Sequence, residues 1–180
     1  FMVAVFLVLS DVSGLAETEE YRRAIPTAEH LAGYLGCVEN GQDFGSLTGG
    51  RGVGTFGGSE DHTAILCCVP GRLSLYSFCP VRCERVIAFP EDCVLAIGAS
   101  GVAAEKAGSA RDHYNRISLA AQRILEIWRA SAGRAAGSLA AASDASAAAS
   151  IREMLCRCGA EDRSYLLDRF EQFLQENAVI

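Results

Sequence analysis

Gly49-Gly-Arg-Gly-Val-Gly-Thr-Phe-Gly-Gly-Ser-Glu-Asp-His-Thr-Ala-Ile-Leu66 runs from a glycine-rich approach straight into a helical pattern. Residues 39–58 hold eight glycines and few core formers, which predicts a long loop. From Ser59 the pattern turns helical, with Thr63, Ile65, Leu66 and Cys67 opening an apolar face. Gly52-x-Gly54-x-x-Gly57 has dinucleotide-loop spacing, but the segment before it, Phe44–Gly50, is polar and glycine-rich rather than a buried strand. A protein-kinase glycine loop lacks its Val-Ala-Ile-Lys strand here, and a Walker A loop lacks Gly-Lys-Ser/Thr. Two readings stand. The run is a surface loop without chemistry, or it delivers free N–H groups to a helix N-terminus where phosphate oxygens are favoured. Glu60 and Asp61 fall in that first turn. There a carboxylate is stabilised by the helix end, and beside a phosphate it can also accept a proton from an attacking hydroxyl.

Upstream, Phe1–Leu9 is continuously apolar, too short to span a bilayer, and without a positive n-region or cleavage site. The expectation is a chain that begins inside a buried helix of a longer protein. Residues 18–36 form a helical stretch with Ala24, Ala28, Leu31, Ala32 and Leu35 on its apolar face, divided at Pro26. Downstream, Pro70-Gly71 turns the chain. Leu73–Phe78 and Val81–Phe89 alternate with period two, and Cys93–Ile97 is a short apolar run. Three strands in a row predict an antiparallel meander. Arg111–Ala130 predicts a strong helix with Tyr114, Ile117, Leu119, Ala120, Ile124, Ile127 and Trp128 inward. Residues 131–150, almost all Ala, Ser and Gly, predict weak helix or linker and no dense core. Two more helices are expected at 146–157 and 161–176, giving an α+β class.

The 180 residues are half hydrophobic and carry a net charge of −6. No basic stripe offsets that charge, which argues against nucleic acid or an anionic membrane surface as partner. Of the eight cysteines, Cys67-Cys68 are adjacent and Cys156-x-Cys158 is too tight for zinc spacing. They read as small buried hydrophobes in a reducing cytoplasm.

At Gly54–Leu66 the residues resemble the Gly-Thr-Pro-Cys-Gly-Ile-Met-Asp-Gln segment of galactokinases, which an apolar helix follows. Gly71-Arg-Leu-Ser-Leu-Tyr76 is similar to that family's Gly-His-Ala-Leu-Leu-Ile strand. Phe89–Val102 looks like its Leu-Pro stretch ending in Val-Leu-Ile-Thr-Asn-Ser-Asn-Val. His113-Tyr-Asn-Arg116 looks like its Tyr-x-x-Arg helix start, and Arg169 to Asn177 like its later Phe-x-x-Glu-Asn. Phe1-Met-Val-Ala-Val5 looks like the helix after its Gly-Leu-Ser-Ser-Ser-Ala phosphate loop.

The resemblance to GHMP kinases implies an S5-like domain over 1–69 and a ferredoxin-like domain over 70–180, both partial. It implies a sugar 1-kinase using ATP and Mg²⁺. Asp61 falls at the base that deprotonates or orients the anomeric hydroxyl, and Tyr114 at a sugar contact. Gly58 and His62 are further substrate-binding candidates, and no metal ligand is assigned. Tyr114 reads equally as an amphipathic boundary residue, and His62, where the family has Gln, as a helix-surface histidine. Ser59-Glu60 replaces Ile-Met, Gly101 replaces an Asn, and the loop at 39–53 is longer. These departures open the choice of sugar, arabinose and galacturonate included. The sugar-recognition segment, the phosphate loop and the C-terminal glycine motif are not in the chain, so it is expected to be inactive alone. The alternatives are a non-catalytic sugar- and ATP-binding regulator and, for this chain by itself, a structural α+β fragment.

Overall fold

The computed structural model describes residues 1–102, 111–133, 136–143, 145–159 and 161–179. They fall into two compact units, Phe1–Glu105 and Lys106–Ile180.

In the first unit the apolar opening forms helix α1, Met2–Ser13. Thr18 caps α2, Glu19–Ala24, by accepting from the Tyr21 N–H at 3.3 Å. Thr27 caps α3, Ala28–Asn40, through the His30 N–H at 3.3 Å. Pro26 lies between them, so the expected division of the helical stretch is where the structure divides it. Val3, Ile25, Leu31 and Leu35 form the core, with Phe6, Tyr21, Tyr34 and Phe44 packed around it. Phe6 meets Tyr21 at 6.4 Å and Tyr34 at 5.8 Å between ring centroids, and Tyr34 meets Phe44 at 5.9 Å. Two expectations change here. Ala28 is exposed while Ile25 is buried. In α1 only Val3 and Ser10 are buried, and Val8, Leu9 and Val12 face outward. A helix apolar on all sides has more surface than this unit covers.

Helix α4, Glu60–Cys67, packs on α3. An antiparallel hairpin follows, β1 Arg72–Phe78 and β2 Val81–Ala88, with a register shift between Leu75 and Tyr76. The Tyr76 hydroxyl donates to the Cys67 carbonyl at 3.3 Å, tying the hairpin to the end of α4. Burial, followed by a hydrogen bond with Cys83, pushes the Tyr76 pKa up to about 12. The expected third strand at Cys93–Ile97 is absent. Val94, Leu95 and Ile97 are 90, 78 and 96% exposed and make no strand pairing. A strand apolar on both faces needs cover on both faces, and this unit supplies none there. The hairpin belongs to the first unit by its contacts, β2 packing on α3.

The second unit is helical: α5 Arg111–Ala132, α6 Leu139–Ala142, α7 Ala145–Arg157 and α8 Arg163–Val179. Ala120, Ile124 and Trp128 of α5 meet Ile151 and Leu155 of α7 and Leu166 and Phe170 of α8 in one core. Ile117 and Leu119, expected inward, are about half exposed. Residues 134, 135 and 144 lie outside the described ones. Within the described part of 131–150, the expectation of no dense core is overturned: Leu139, Ala142, Ala147 and Ala148 are all buried in it. Small side chains let α6 and α7 approach α5 closely, which a composition reading counts only as missing bulk.

None of the eight cysteines is fully buried, and all are free thiols. The reading of them as buried hydrophobes is therefore corrected. Cys37, Cys67, Cys83 and Cys158 are half-buried, and the rest are exposed. No helix among the described residues is long and apolar enough to cross a membrane. Helix with an antiparallel pair of strands is compatible with the α+β class.

Candidate functional site

The loop between α3 and α4 is held to the end of α3 backbone to backbone. Gly41 ends the helix with φ +69°, and the Gln42 N–H returns to the Cys37 carbonyl at 2.9 Å. The chain makes a short two-residue bridge, Phe44 with Leu47, and then comes back over α3. There the Val53 N–H donates to the Glu39 carbonyl at 2.8 Å. Asn40 then clamps the loop at both of its polar atoms. Its Nδ2 donates to the Gly57 carbonyl at 2.7 Å and its Oδ1 accepts from the Gly57 N–H at 2.9 Å. Asn40→Ala leaves both half-buried Gly57 groups without partners and should destabilise the first unit by about 1–3 kcal/mol. Asn40→Asp, which can accept but not donate, should recover part of that loss in a urea titration.

With the loop fixed, Ser59 starts α4 against α3. A β-carbon on Gly36 would lie 3.0 Å from that of Ser59, so glycine is what lets the two backbones approach so closely. The Ser59 carbonyl accepts from the Thr63 N–H at 2.8 Å and from its hydroxyl at 2.7 Å. The Ser59 hydroxyl does not cap the helix; it is buried and has no hydrogen-bond partner among the described residues.

One turn into α4, the structure brings together three side chains from two helices. The His62 Nε2 lies 3.0 Å from Glu39 Oε2, and its Nδ1 lies 4.0 Å from Asp61 Oδ1. One ligand atom from each of the three falls within 4.8 Å of the others. Burial grades across the trio: the His62 side chain is 4% exposed, Glu39 30% and Asp61 74%. The Glu39 carboxylate holds the imidazole at Nε2, which leaves Nδ1 on the side of Asp61. The arrangement is a solvent-facing carboxylate backed by a buried, oriented imidazole. It can take up a proton at Asp61 or offer oxygen donors to a cation.

The expectation of a surface histidine is thus corrected. His62 is among the most buried polar residues of the chain. Asp61 is exposed at the first turn of α4, and Gly58 is exposed beside the Phe78 ring, 3.9 Å from where its β-carbon would be. Tyr114 is half-buried on α5, in the second unit. Glu39 is the residue the sequence reading missed. Its partner is 23 positions away, and the only local sign was an acidic residue at the end of an apolar helix. Compared with protein-family models, with curated proteins and with solved structures, the chain gives no match.

Proposed function

We propose that this chain is part of a galactokinase-like sugar 1-kinase, in which Asp61 accepts the proton of the anomeric hydroxyl as that oxygen attacks the γ-phosphorus of ATP. The observation that carries the reading is the exposed Asp61 carboxylate at a helix start reached through glycines, backed by the buried His62–Glu39 pair. Asp61 is exposed, so a substrate hydroxyl can reach it. Glu39 fixes the imidazole beside Asp61. After transfer the proton sits on Asp61 and ADP leaves as the displaced group.

The trio does not make a separate Mg²⁺ seat: Glu39 Oε2 is taken by the His62 imidazole and Asp61 is kept free as the base, so in this reading Mg²⁺ would come with the phosphates of ATP. When bound, the metal and the triphosphate supply the electrophile and offset its charge. Tyr114 is proposed as a sugar contact, with Gly58 and His62 bordering the substrate. The S5-like and ferredoxin-like division at 69/70 and a cytoplasmic location belong to the same reading.

The test uses the full-length protein, MgATP and a panel of sugars including galactose, arabinose and galacturonate. Asp61→Asn should lower kcat by about 100-fold or more with little change in KM, while Glu60→Gln stays near wild type. Unchanged turnover in Asp61→Asn would remove the base. Failure of the wild type to phosphorylate any sugar would remove the reaction.

A further inference from the structure

We infer that the corner formed by Phe6, Tyr21 and Tyr34 in the first unit, with Glu20 in the same lining, is a binding site for a small quaternary ammonium ligand of choline size. The inference does not rest on the kinase reading, and the site shares no lining residue with the Glu39–Asp61–His62 trio.

A cavity of about 190 Å³ opens among α1, α2 and α3, and the rings of Phe6, Tyr21 and Tyr34 all line it. Phe6 and Tyr21 are 20° from parallel with centroids 6.4 Å apart, and Tyr34 stands at 62° to Phe6 with centroids 5.8 Å apart. The rings therefore form two walls of a corner rather than a closed stack. All three are half-buried, so each keeps surface that a ligand can touch. Tyr34 also acts on Tyr21, whose pKa is raised by burial first and by Tyr34 second. The volume lies below the roughly 300 Å³ at which drug-sized sites begin, and it equals about the share of six waters. It suits a compact head group, not a nucleotide.

Charge selects the sign of that head group. Glu20 is exposed, and the lining that includes it contains no Lys, Arg or His. Glu20 has no ion-pair partner among the described residues. Arg22, two positions on, directs its Nε to the Ala16 carbonyl at 3.2 Å instead. Aromatic faces carry negative charge density, so three rings and one carboxylate around a single space favour a cation.

The rest of the lining selects the kind of cation. The Leu15, Ile25 and Leu47 side chains offer no acceptor. The Thr18 hydroxyl is already engaged, donating to the Leu15 carbonyl at 2.8 Å and accepting from the Tyr21 N–H at 3.3 Å. A primary ammonium or a metal ion would lose hydration there without replacement. A quaternary ammonium has no N–H to satisfy. It buries methyl groups against the aliphatic side while its charge meets the rings.

A proton NMR titration of choline with the full chain, at neutral pH and low ionic strength, tests this, with dimethylbutanol, the uncharged carbon isostere, alongside. Choline should bind one to one with a Kd of about 1 mM or tighter, its methyl resonance moving upfield under the ring currents. Dimethylbutanol keeps the shape and loses the charge, and should bind about tenfold more weakly or worse. Glu20→Gln should weaken choline binding about threefold or more. Glu19→Gln removes the same net charge outside the lining and should bind as wild type. Tyr21→Leu removes a wall and should cost about tenfold, with helical circular dichroism checking that it is folded. Glu20 is exposed, so its variant and the isostere comparison decide the matter even if Tyr21→Leu does not fold. The proposal is overturned by absence of saturation, by equal affinity for dimethylbutanol, by equal losses in Glu20→Gln and Glu19→Gln, or by wild-type affinity in a folded Tyr21→Leu.

Discussion

Phe170→Ala should remove about 3–5 kcal/mol from the second unit, the largest single loss expected in the chain. Phe170 is fully buried, and it meets side chains from α5, α7 and α8 in one cluster. Truncating it deletes the contact that three helices share, and rigid helices collapse into such a gap only in part. A small domain has a total stability of about 5–15 kcal/mol, so the loss takes a large share of it. In urea the midpoint should drop while the slope stays constant, because the surface exposed on unfolding is unchanged. Phe173, half-buried at the edge of the same cluster, should cost clearly less on the same change. Equal losses at the two positions would mean that the core is not where these helices place it.

Gly52→Ala is expected to cost about 2–4 kcal/mol in the first unit, from two separate causes. Gly52 has φ +68°, which L side chains adopt only with strain. Its β-carbon would also lie 2.6 Å from the Gly41 nitrogen and 2.7 Å from the Glu39 carbonyl oxygen. Those are backbone atoms at the end of α3 and cannot swing aside. The loop must lift, and Glu39 then loses the carbonyl bond to Val53 that holds it near His62. Two neighbours separate the causes. Gly45 has φ +58° with open space around it, and Gly50 has open space and no positive φ. Thermal midpoints should therefore fall least in Gly50→Ala, more in Gly45→Ala and most in Gly52→Ala, which alone of the three should also shift the His62 imidazole resonances. Three equal effects would show that the loop does not lie against α3.

These glycines mark what the sequence could and could not convey. The caps at Thr18 and Thr27 and the end of α3 at Asn40, beyond the expected 36, were not read, while Pro26 divides the helical stretch of the first unit as its local chemistry requires. Alternation in Leu73–Phe78 and Val81–Phe89 places the hairpin for the same reason, since the pattern and the pairing share one period. The Cys93–Ile97 run has no such internal check. Continuous apolarity states a need for cover without saying what provides it. In the candidate site, the glycine approach and the Asp61 helix start were legible because they are neighbours in sequence. The Asn40–Gly57 clamp and the Glu39–His62 pair were not, since each joins residues 17 or 23 positions apart through a loop that no periodicity describes. The buried alanines of α6 and α7 escaped for a third reason: close helix approach depends on what is missing from a side chain.

Trp128 is the chain's one tryptophan, and it sits in the core of the second unit, 8% exposed. The first unit has tyrosines and phenylalanines but no indole. Intrinsic fluorescence excited at the red edge of aromatic absorption therefore has a single origin, and that origin belongs to the α5–α8 bundle. Emission on unfolding reports one half of the molecule, while the peptide-bond signal sums both. Recorded side by side, the two optical traces resolve whether the halves melt together or in sequence, with no label attached to either.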